Sequence, residues 1–472
     1  MIKKISLFVV FKYVNFVVKG AKGLLIAKVL GPHGFGIWAF LQMVEKYIAY
    51  KNFGLYFTLN IELSNNFEDK DFARDYVSKC VNIYVLISLI VFVLTAIFYL
   101  LDINIAEKYR LKDFIFILVI LATLRNFEKI YANIFRVYNK LKLIIVSEFL
   151  LHTLPLLTIL FFDGIELIYA LLIASVFSLI ISISFYSYYS PLKISYFRFF
   201  NADSVVDTNV LLKNGFMLLL INVSVYLFNL SSKTFVSTFY SVEQMGYFSF
   251  AISITMASLF GMKAARWAIY PNILKKLSSI DERLKLRSFV DKIERMNSYL
   301  LINFIHIIIL LTPLLFWFFP EYLPANNVLL VLLVAQGIVS MGLGYNTFIM
   351  NRKLFKQLVV SNLVALSVVL VGNYFLAFFQ VNLLHIGQVI LVAYFIVLVG
   401  MNFIYRRKVF GEGLIKSFRS LDYYKLLHMF VLGSVVSFSN FFILVVMSLG
   451  LFNFFHFSDY RLVKNFFKSG SL

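Results

Sequence analysis

Apolar stretches of about 20 residues recur along the whole chain, and they constrain its fold more than any other feature. One helix needs about 20 consecutive apolar residues to cross a bilayer core about 30 Å thick. Of the 472 residues, 61% are apolar and 14% are charged, whereas soluble domains are about 45–50% apolar and about 25% charged. The sequence therefore predicts an all-α, polytopic membrane protein with 12–14 transmembrane helices.

Candidate spans can be placed along the chain by this criterion. The final apolar block, 424–457, is long enough for two short helices with a break near 437–440, which favours fourteen helices over thirteen. The other spans are 5–29, 36–60, 80–101, 113–135, 143–162, 165–189, 211–238, 245–270, 297–319, 327–349, 357–379 and 385–405.

Basic residues are distributed unequally between alternate connections. With the N-terminus in the cytoplasm, the inner connections hold 26 Lys and Arg residues and the outer connections hold 3, all within 102–112. Basic residues accumulate on the cytoplasmic side of membrane proteins. We therefore expect a multi-pass protein of the bacterial inner membrane with a cytoplasmic N-terminus. The net charge of +20 reflects this topology, with attraction to anionic headgroups, rather than nucleic-acid binding.

The polar segments predict the domain organisation. None of the connections is long enough for a separate soluble domain, and the polar stretch 275–295 is expected to be a short interfacial helix. The expected domains are an N-terminal six-helix lobe (1–190), a cytoplasmic linker (191–210), a C-terminal six-helix lobe (211–406), and a basic loop with one or two additional helices (407–472).

The two lobes resemble each other at an offset of 210 residues. This offset places Gly36 on Gly246 and Trp38 on Phe248. The polar residues of the first span also fall on polar residues of the seventh, with Lys12 on Asn222, Lys19 on Asn229 and Lys22 on Ser232. We interpret the pattern as a parallel repeat related by an axis along the membrane normal.

Four polar residues share one face of the first span: Lys12, Asn15, Lys19 and Lys22. At 100° per residue they occupy a sector about 80° wide. A charge near the bilayer centre costs at least about 2.5–3.5 kcal/mol, so this stripe predicts a polar interior shared with other helices and an anionic ligand. For Lys12, near the inner end, snorkelling to the headgroups is the alternative.

Basic and polar residues of other spans extend this candidate cavity. Arg125 lies deep in the fourth span, Lys233 in the seventh and Arg266 in the eighth, while Asn222 and Asn229 supply further polar lining. Arg266 neighbours aromatic residues, so an interfacial anchor is its alternative role.

Two carboxylates of the predicted spans, Glu45 and Glu128, are candidates for coupling transport to an ion. Pairing is the alternative, with a lysine of the first span for Glu45 and with Lys129 for Glu128.

The remaining chemistry-bearing residues indicate no catalytic or metal site. His306 and His385 are solitary in the sequence, and the single Cys80 cannot form an internal disulfide. Neither a Walker loop nor a Ser/His/Asp pattern is present. We expect no catalytic residues, no metal and no cofactor, so an ion gradient, the substrate gradient or a separate protein must supply the energy.

The run Gly-Pro-His-Gly-Phe-Gly-Ile-Trp at 31–38, within 22–39, resembles the opening signature of bacterial polysaccharide flippases. These are the O-antigen and capsule translocases of the multidrug/oligosaccharidyl-lipid/polysaccharide exporter superfamily. The run 246–251 is similar to their eighth helix, and helix number and loop lengths agree over nearly the whole chain.

This resemblance implies a flippase rather than an enzyme. Its substrate would be a lipid-linked oligosaccharide repeat unit, carried on undecaprenyl diphosphate from the cytoplasmic to the outer face of the inner membrane. Rocking of the two lobes would give alternating access, serving O-antigen, lipopolysaccharide, capsule or exopolysaccharide synthesis. The implied partners are the bilayer, the lipid-linked substrate and, as candidates, polymerase and chain-length proteins. We expect a monomer that binds no nucleic acid.

Two alternatives remain, one within transport and one from another functional class. A multidrug or cation antiporter of the same superfamily needs an acidic cavity, whereas the cavity predicted here is basic. A membrane-embedded polysaccharide polymerase generally needs a substantial outer loop, and the outer connections here are short.

Overall fold

The computed structural model of the chain describes most of its residues. The described residues are 2–66, 68–102, 106–192, 194, 208–260, 262, 266, 273–274, 276–280, 282–379, 381–435 and 441–469. Two of the predicted site residues, Lys12 and Asn222, have side chains that lie outside this description.

The described residues form helices and turns only, which confirms the predicted all-α class. Eight helices in the described part are long and apolar enough to cross a membrane, so the chain is a multi-pass membrane protein. The helices are α1 (Ile2–Ala49), α2 (Leu55–Asn65), α3 (Lys70–Leu100), α4 (Leu111–Val137), α5 (Leu141–Leu157), α6 (Gly164–Tyr189), α7 (Thr208–Phe239), α8 (Val242–Ser258), α9 (Arg283–Phe318), α10 (Asn326–Met341), α11 (Leu343–Asn351), α12 (Phe355–Phe378), α13 (Leu383–Phe410), α14 (Leu414–Arg419), α15 (Tyr423–Val435), α16 (Phe441–Phe455) and α17 (Phe457–Ser469).

Exposed apolar side chains show which helix faces meet lipid. On α3, Leu86, Leu89, Ile90, Val93 and Ile97 are all exposed. Their spacing of three or four residues places them on one face of the helix. Such a face would be a liability in water, but in a bilayer it contacts acyl chains.

The first two predicted spans meet at Gly31 without the expected connection at 30–35. Gly31 has φ 62° and ψ 179°, and Pro32 follows it, so α1 consists of two helical segments joined at a kink. Only glycine adopts this conformation readily, because it has no Cβ, and proline is well tolerated in the first turn of the next segment.

The second predicted span, 36–60, is interrupted. It ends as a helix at Ala49 and continues through a 3₁₀ turn, Tyr50–Asn52, before α2 begins. Phe53 and Gly54 have φ of 46° and 76°, and two left-handed residues in succession cannot continue an α-helix.

Two further expectations about helix boundaries need correction or completion. The predicted interfacial helix at 275–295 is wrong from Arg283 onward, because this stretch forms the first turns of α9 and continues into the apolar span without a Gly or Pro to break it. The C-terminal block forms two helices, α15 and α16, and the predicted break at 437–440 lies outside the described residues.

The chain divides into two compact units. Unit 1 comprises Met1–Asn222 and Ser241–Gly246, and unit 2 comprises Val223–Tyr240 and Tyr247–Leu472. In unit 1, α1 packs on α4 and α5, which both pack on α6. In unit 2, α10 and α12 pack on α13, while α9 packs on α10, α16 and α17.

Candidate anion-binding site

An ion pair between Glu45 of α1 and Arg125 of α4 lies at the centre of the candidate site in unit 1. The Arg125 guanidinium contacts Glu45 Oε1. The Glu45 side chain is 4% exposed, whereas that of Arg125 is 38% exposed. The pair therefore anchors Arg125 from its buried side and leaves part of the guanidinium accessible to a ligand.

Four lysines surround this ion pair. Lys22 is close enough to interact electrostatically with Arg125, Lys19 and Glu45. Lys46 interacts in the same way with Glu45, Arg125 and Lys129, and Lys129 interacts with Arg125, Glu128 and Lys19. We define the cationic cluster as Lys19, Lys22, Lys46, Arg125 and Lys129. Five basic side chains thus share the neighbourhood of two carboxylates, Glu45 and Glu128.

A buried amide network holds the two helices of the cluster together. Asn126 Nδ2 donates to the Ala49 carbonyl oxygen at 2.9 Å and to the Tyr84 hydroxyl at 3.1 Å. Its Oδ1 accepts from Asn52 Nδ2 at 2.8 Å. Buried amides are costly unless hydrogen bonded, so this saturated arrangement fixes α4 against the end of α1. Arg125 is the adjacent residue and is positioned by the same contact.

Lys51 extends the basic character toward the end of α1. Its Nζ donates to Thr123 Oγ1 at 2.9 Å and lies 5.7 Å from the centre of the Tyr84 ring. Because these contacts satisfy the ammonium group, Lys51 belongs to the scaffold of the cluster rather than to its open face.

The structure brings together some of the predicted site residues in unit 1. Lys19, Lys22, Arg125, Glu45 and Glu128 lie in one neighbourhood. Glu45 pairs with Arg125, a partner that the sequence pattern did not predict. Lys46 was not among the predicted site residues, and Lys129 was predicted only as a pairing partner of Glu128, although Lys129 lies one helical turn from Arg125.

Asn15 of α1 contacts α5. It is buried, and its Nδ2 donates to the Ile145 carbonyl oxygen at 3.3 Å and to Glu148 Oε2 at 3.4 Å. These bonds link α1 to α5. Its role as polar lining remains a prediction.

Arg266 belongs to unit 2 and has an unusual environment. Its Nε and Nη2 atoms are buried and have no hydrogen-bond partner within the described ranges. Glu294 of α9 lies within electrostatic range, but its Oε1 already accepts from Tyr345 N at 2.9 Å. A buried guanidinium with unfilled donors is suited to bind an anion.

The other predicted residues of unit 2 lie on α7. Asn229 Nδ2 donates to the Tyr394 hydroxyl at 3.1 Å, and both residues line a small cavity with Thr255 and Gln336. Lys233 is half-buried one turn further along the same helix. Their roles in binding remain predictions.

The comparisons with known proteins agree with this architecture. Residues 2–275 match the model of a family described as polysaccharide biosynthesis protein. The chain also resembles a solved structure of lipid II flippase MurJ in an inward closed conformation, with 14% identity, a TM-score of 0.70, and coverage of 96% of this chain and 98% of that one. An inward-facing multidrug resistance MATE family transporter of the MOP superfamily gives 13% identity and a TM-score of 0.66, covering 85% of this chain and 96% of that chain. No curated protein sequence matches significantly.

The chain belongs to the polysaccharide biosynthesis protein family, since the matching residues make up more than half of its length. It has the fold shared by the MurJ and MATE structures. The two structures are described as those of a flippase and a transporter.

Proposed function

We propose that this protein is a flippase that moves a lipid-linked oligosaccharide repeat unit across the bacterial inner membrane, for O-antigen, capsule or exopolysaccharide synthesis. In this proposal the N-terminus is cytoplasmic and undecaprenyl diphosphate is the carrier. The observation that carries the proposal is the cationic cluster of unit 1, in which four lysines surround the ion pair between Arg125 and Glu45.

The charge balance of the cluster favours a multivalent anion. Basic side chains in mutual electrostatic range repel one another, and the cost grows where the surroundings exclude water. Two carboxylates offset only part of this repulsion. A diphosphate bound among Lys19, Lys22 and Arg125 would relieve the rest. Arg125 suits this role because a guanidinium can donate two parallel hydrogen bonds to a phosphate.

The same balance argues against the antiporter alternative. A site for cationic drugs needs an excess of carboxylates, whereas Glu45 is already engaged by Arg125. The fold is shared with MATE transporters, so the sign of the charge in the cluster, and not the fold, supports the flippase.

Complementation of a strain that lacks its flippase tests this proposal. We expect Lys19→Ala and Lys22→Ala, alone and combined, to lower surface polysaccharide and to cause lipid-linked repeat units to accumulate. A hydrogen bond to a charged group contributes about 1.5–3 kcal/mol, so each single variant should lower affinity for undecaprenyl diphosphate in nanodiscs about 10- to 100-fold. Arg125→Ala should be more severe, because it also breaks the ion pair with Glu45.

The matched control is Lys142→Ala, which removes an exposed lysine of α5 outside the cluster. It should leave surface polysaccharide and affinity unchanged. If Lys19→Ala and Arg125→Ala restore surface polysaccharide fully at wild-type expression, the cationic cluster does not bind the substrate and the proposal is wrong.

A further inference from the structure

Unit 2 contains a pair of histidines outside the cationic cluster, one buried and one half-buried. His306 of α9 and His428 of α15 approach each other with their Nε2 atoms 3.2 Å apart. Ser448 Oγ of α16 lies 3.2 Å from both Nε2 atoms. His306 is fully buried. Three helices therefore bring three proton-exchanging groups to one point. The two histidines are 122 positions apart in the sequence, which is why His306 looked solitary there.

The hydrogen bonds fix where protons reside in this group. His306 Nδ1 lies 2.8 Å from the Ile302 carbonyl oxygen, which can only accept, so Nδ1 carries a hydrogen. In the neutral ring Nε2 of His306 is then an acceptor. It faces Nε2 of His428 and the hydroxyl of Ser448, either of which can donate to it. One more proton on His306 Nε2 would itself be donated to His428 or Ser448 without any rearrangement of the backbone.

A line of polar side chains leads along α9 to this pair. Arg295, Tyr299, Asn303 and His306 fall within a sector about 80° wide at 100° per residue. From Arg295 to His306 the helix rises about 16 Å at 1.5 Å per residue, which is about half of a hydrocarbon core about 30 Å thick. The pair therefore lies near mid-depth if Arg295 marks the membrane boundary.

Residues of α15, α16 and α17 complete this line. Tyr299 donates to Asn453 Oδ1, and Asn453 Nδ2 donates to Asn303 Oδ1 at 2.7 Å. At the end of the line away from the histidines, Asp459 accepts a hydrogen bond from Arg295 Nε at 2.8 Å and pairs with Lys425 Nζ at 2.7 Å.

We propose that His306, His428 and Ser448 form a binding site for one proton, reached along the polar line from Arg295 and Asp459. This site goes beyond the proposed transport of an anionic lipid and does not depend on it. Imidazole is the side chain whose charge changes most readily near neutral pH. Two imidazoles sharing one hydrogen bond can hold a single added proton between them.

The surroundings limit the pair to one added proton. The ring centres are 5.1 Å apart, and at an effective dielectric constant of about 20 two charges at this distance separate the first and second protonations by roughly two pH units. The centre of the Phe452 ring is 4.8 Å from that of His428 and 4.7 Å from that of His456, and His456 lies within electrostatic range of His428. The other charged groups near the pair are Asp459, Lys425 and Arg295. Helix α10 packs on α15 through Gly337 and Met429, and it contains no titratable side chain.

Histidine NMR of the full-length protein in nanodiscs tests the site. With ring-labelled histidines and His306→Gln and His428→Gln for assignment, we expect the signals of both rings to change together over one protonation between about pH 5 and about pH 8. In His428→Gln the midpoint of His306 should shift by about one pH unit or more. Ser448→Ala removes only a hydroxyl and should shift the titration midpoint of both rings. This variant replaces the histidine variants in the test if one of them fails to fold.

Two controls keep the result specific. His385→Gln removes a histidine at the exposed start of α13, hydrogen bonded to Gln388, and should leave the pair unchanged. Asn453→Leu should slow hydrogen exchange at both rings without moving their midpoints, since it blocks the line and not the site. The proposal is overturned if the two rings titrate independently or do not titrate in this range, and the route is overturned if Asn453→Leu leaves exchange unchanged.

Discussion

Gly36 and Gly246 make reciprocal backbone contacts within unit 1. A Cβ added to Gly36 would lie 2.0 Å from the carbonyl oxygen of Val242, and one added to Gly246 would lie 2.0 Å from that of Pro32. Val242 follows Pro32 by the same 210 positions that separate the two glycines. His33 Nδ1 and Glu243 Oε1, also 210 positions apart, lie 2.5 Å from each other. Exchanging the two segments therefore reproduces the same contacts, as expected for copies of one repeat.

Alanine at either glycine should destabilise unit 1. Each new Cβ would meet a backbone oxygen that cannot rotate away, so the helices must separate. Overpacking of this kind costs about 1–3 kcal/mol, which we expect as a lower free energy of unfolding in detergent for Gly36→Ala and Gly246→Ala. Gly20→Ala is the matched control on α1, because its Cβ would meet nothing within 4 Å. Equal stability of all three variants would show that the close approach is absent.

The ion pair between Glu45 and Arg125 should show energetic coupling. Glu45→Gln leaves the partly buried Arg125 guanidinium without an opposite charge. Arg125→Gln leaves the buried Glu45 carboxylate without one. Because Glu45 is the more buried partner, Arg125→Gln should be the more destabilising. Thermal unfolding of the single and double variants gives the coupling energy, which we expect to be about 1–3 kcal/mol. Additive single effects would mean that the pair contributes nothing.

The same variant separates two roles of Glu45. If Glu45 couples transport to an ion, Glu45→Gln should weaken ion-driven uptake in proteoliposomes even after correction for the amount of folded protein. Unchanged ion dependence would leave Glu45 with its structural role alone.

Asn126 should be among the least replaceable polar residues of unit 1. Asn126→Ala would leave the Ala49 carbonyl and the Asn52 amide without their partner, and each unsatisfied buried group costs about 1–3 kcal/mol. Tyr84→Phe removes only one hydroxyl of the network and should cost about 1 kcal/mol. Unfolding in detergent measures both variants. Similar values for the two would indicate that water replaces the Asn126 amide.

Much of the fold could be predicted from the sequence because each membrane helix corresponds to a run of apolar residues. The predicted spans 113–135, 165–189 and 357–379 correspond to α4, α6 and α12 within a few residues at each end. The basic stripe was legible for the same reason, since helical periodicity alone places Lys19 and Lys22 on one face. Periodicity does not show where a helix bends or continues, so the kink at Gly31 and the uninterrupted start of α9 were missed.

Contacts between distant segments could not be predicted. Glu45 pairs with Arg125, 80 positions away, because α1 packs on α4, and the amide network of Asn126 sets that packing. The pairing of His306 with His428 depends in the same way on how α9, α15 and α16 meet. A single sequence shows which residues need partners, but the choice among distant candidates depends on the tertiary arrangement.

Asp459 should give unit 2 a stability that depends on pH. Burial by itself raises the pKa of Asp459, but hydrogen bonds from His456 and Lys425, the charge of Lys425 and a hydrogen bond from Arg295 together hold that pKa well below its usual range. A carboxyl whose pKa is lower in the folded state stabilises the protein above its unfolded pKa, about 3.9, and this stabilisation is lost as the pH falls below that value. Asp459→Asn should therefore unfold more readily than the wild type at pH about 7, and the difference should shrink toward pH about 3.

Thermal unfolding across this pH range measures the effect. Taking the difference in free energy of unfolding between wild type and variant cancels the contribution of the other carboxylates. Asp113→Asn is the control, because its ion pair with Arg110 is solvent-exposed and such pairs contribute about 0–1 kcal/mol. Asp113→Asn should unfold close to the wild type at every pH. A difference for Asp459→Asn that stays constant with pH would mean that the pKa of Asp459 is the same in the folded and the unfolded protein, so that the contacts with Arg295 and Lys425 do not hold it low.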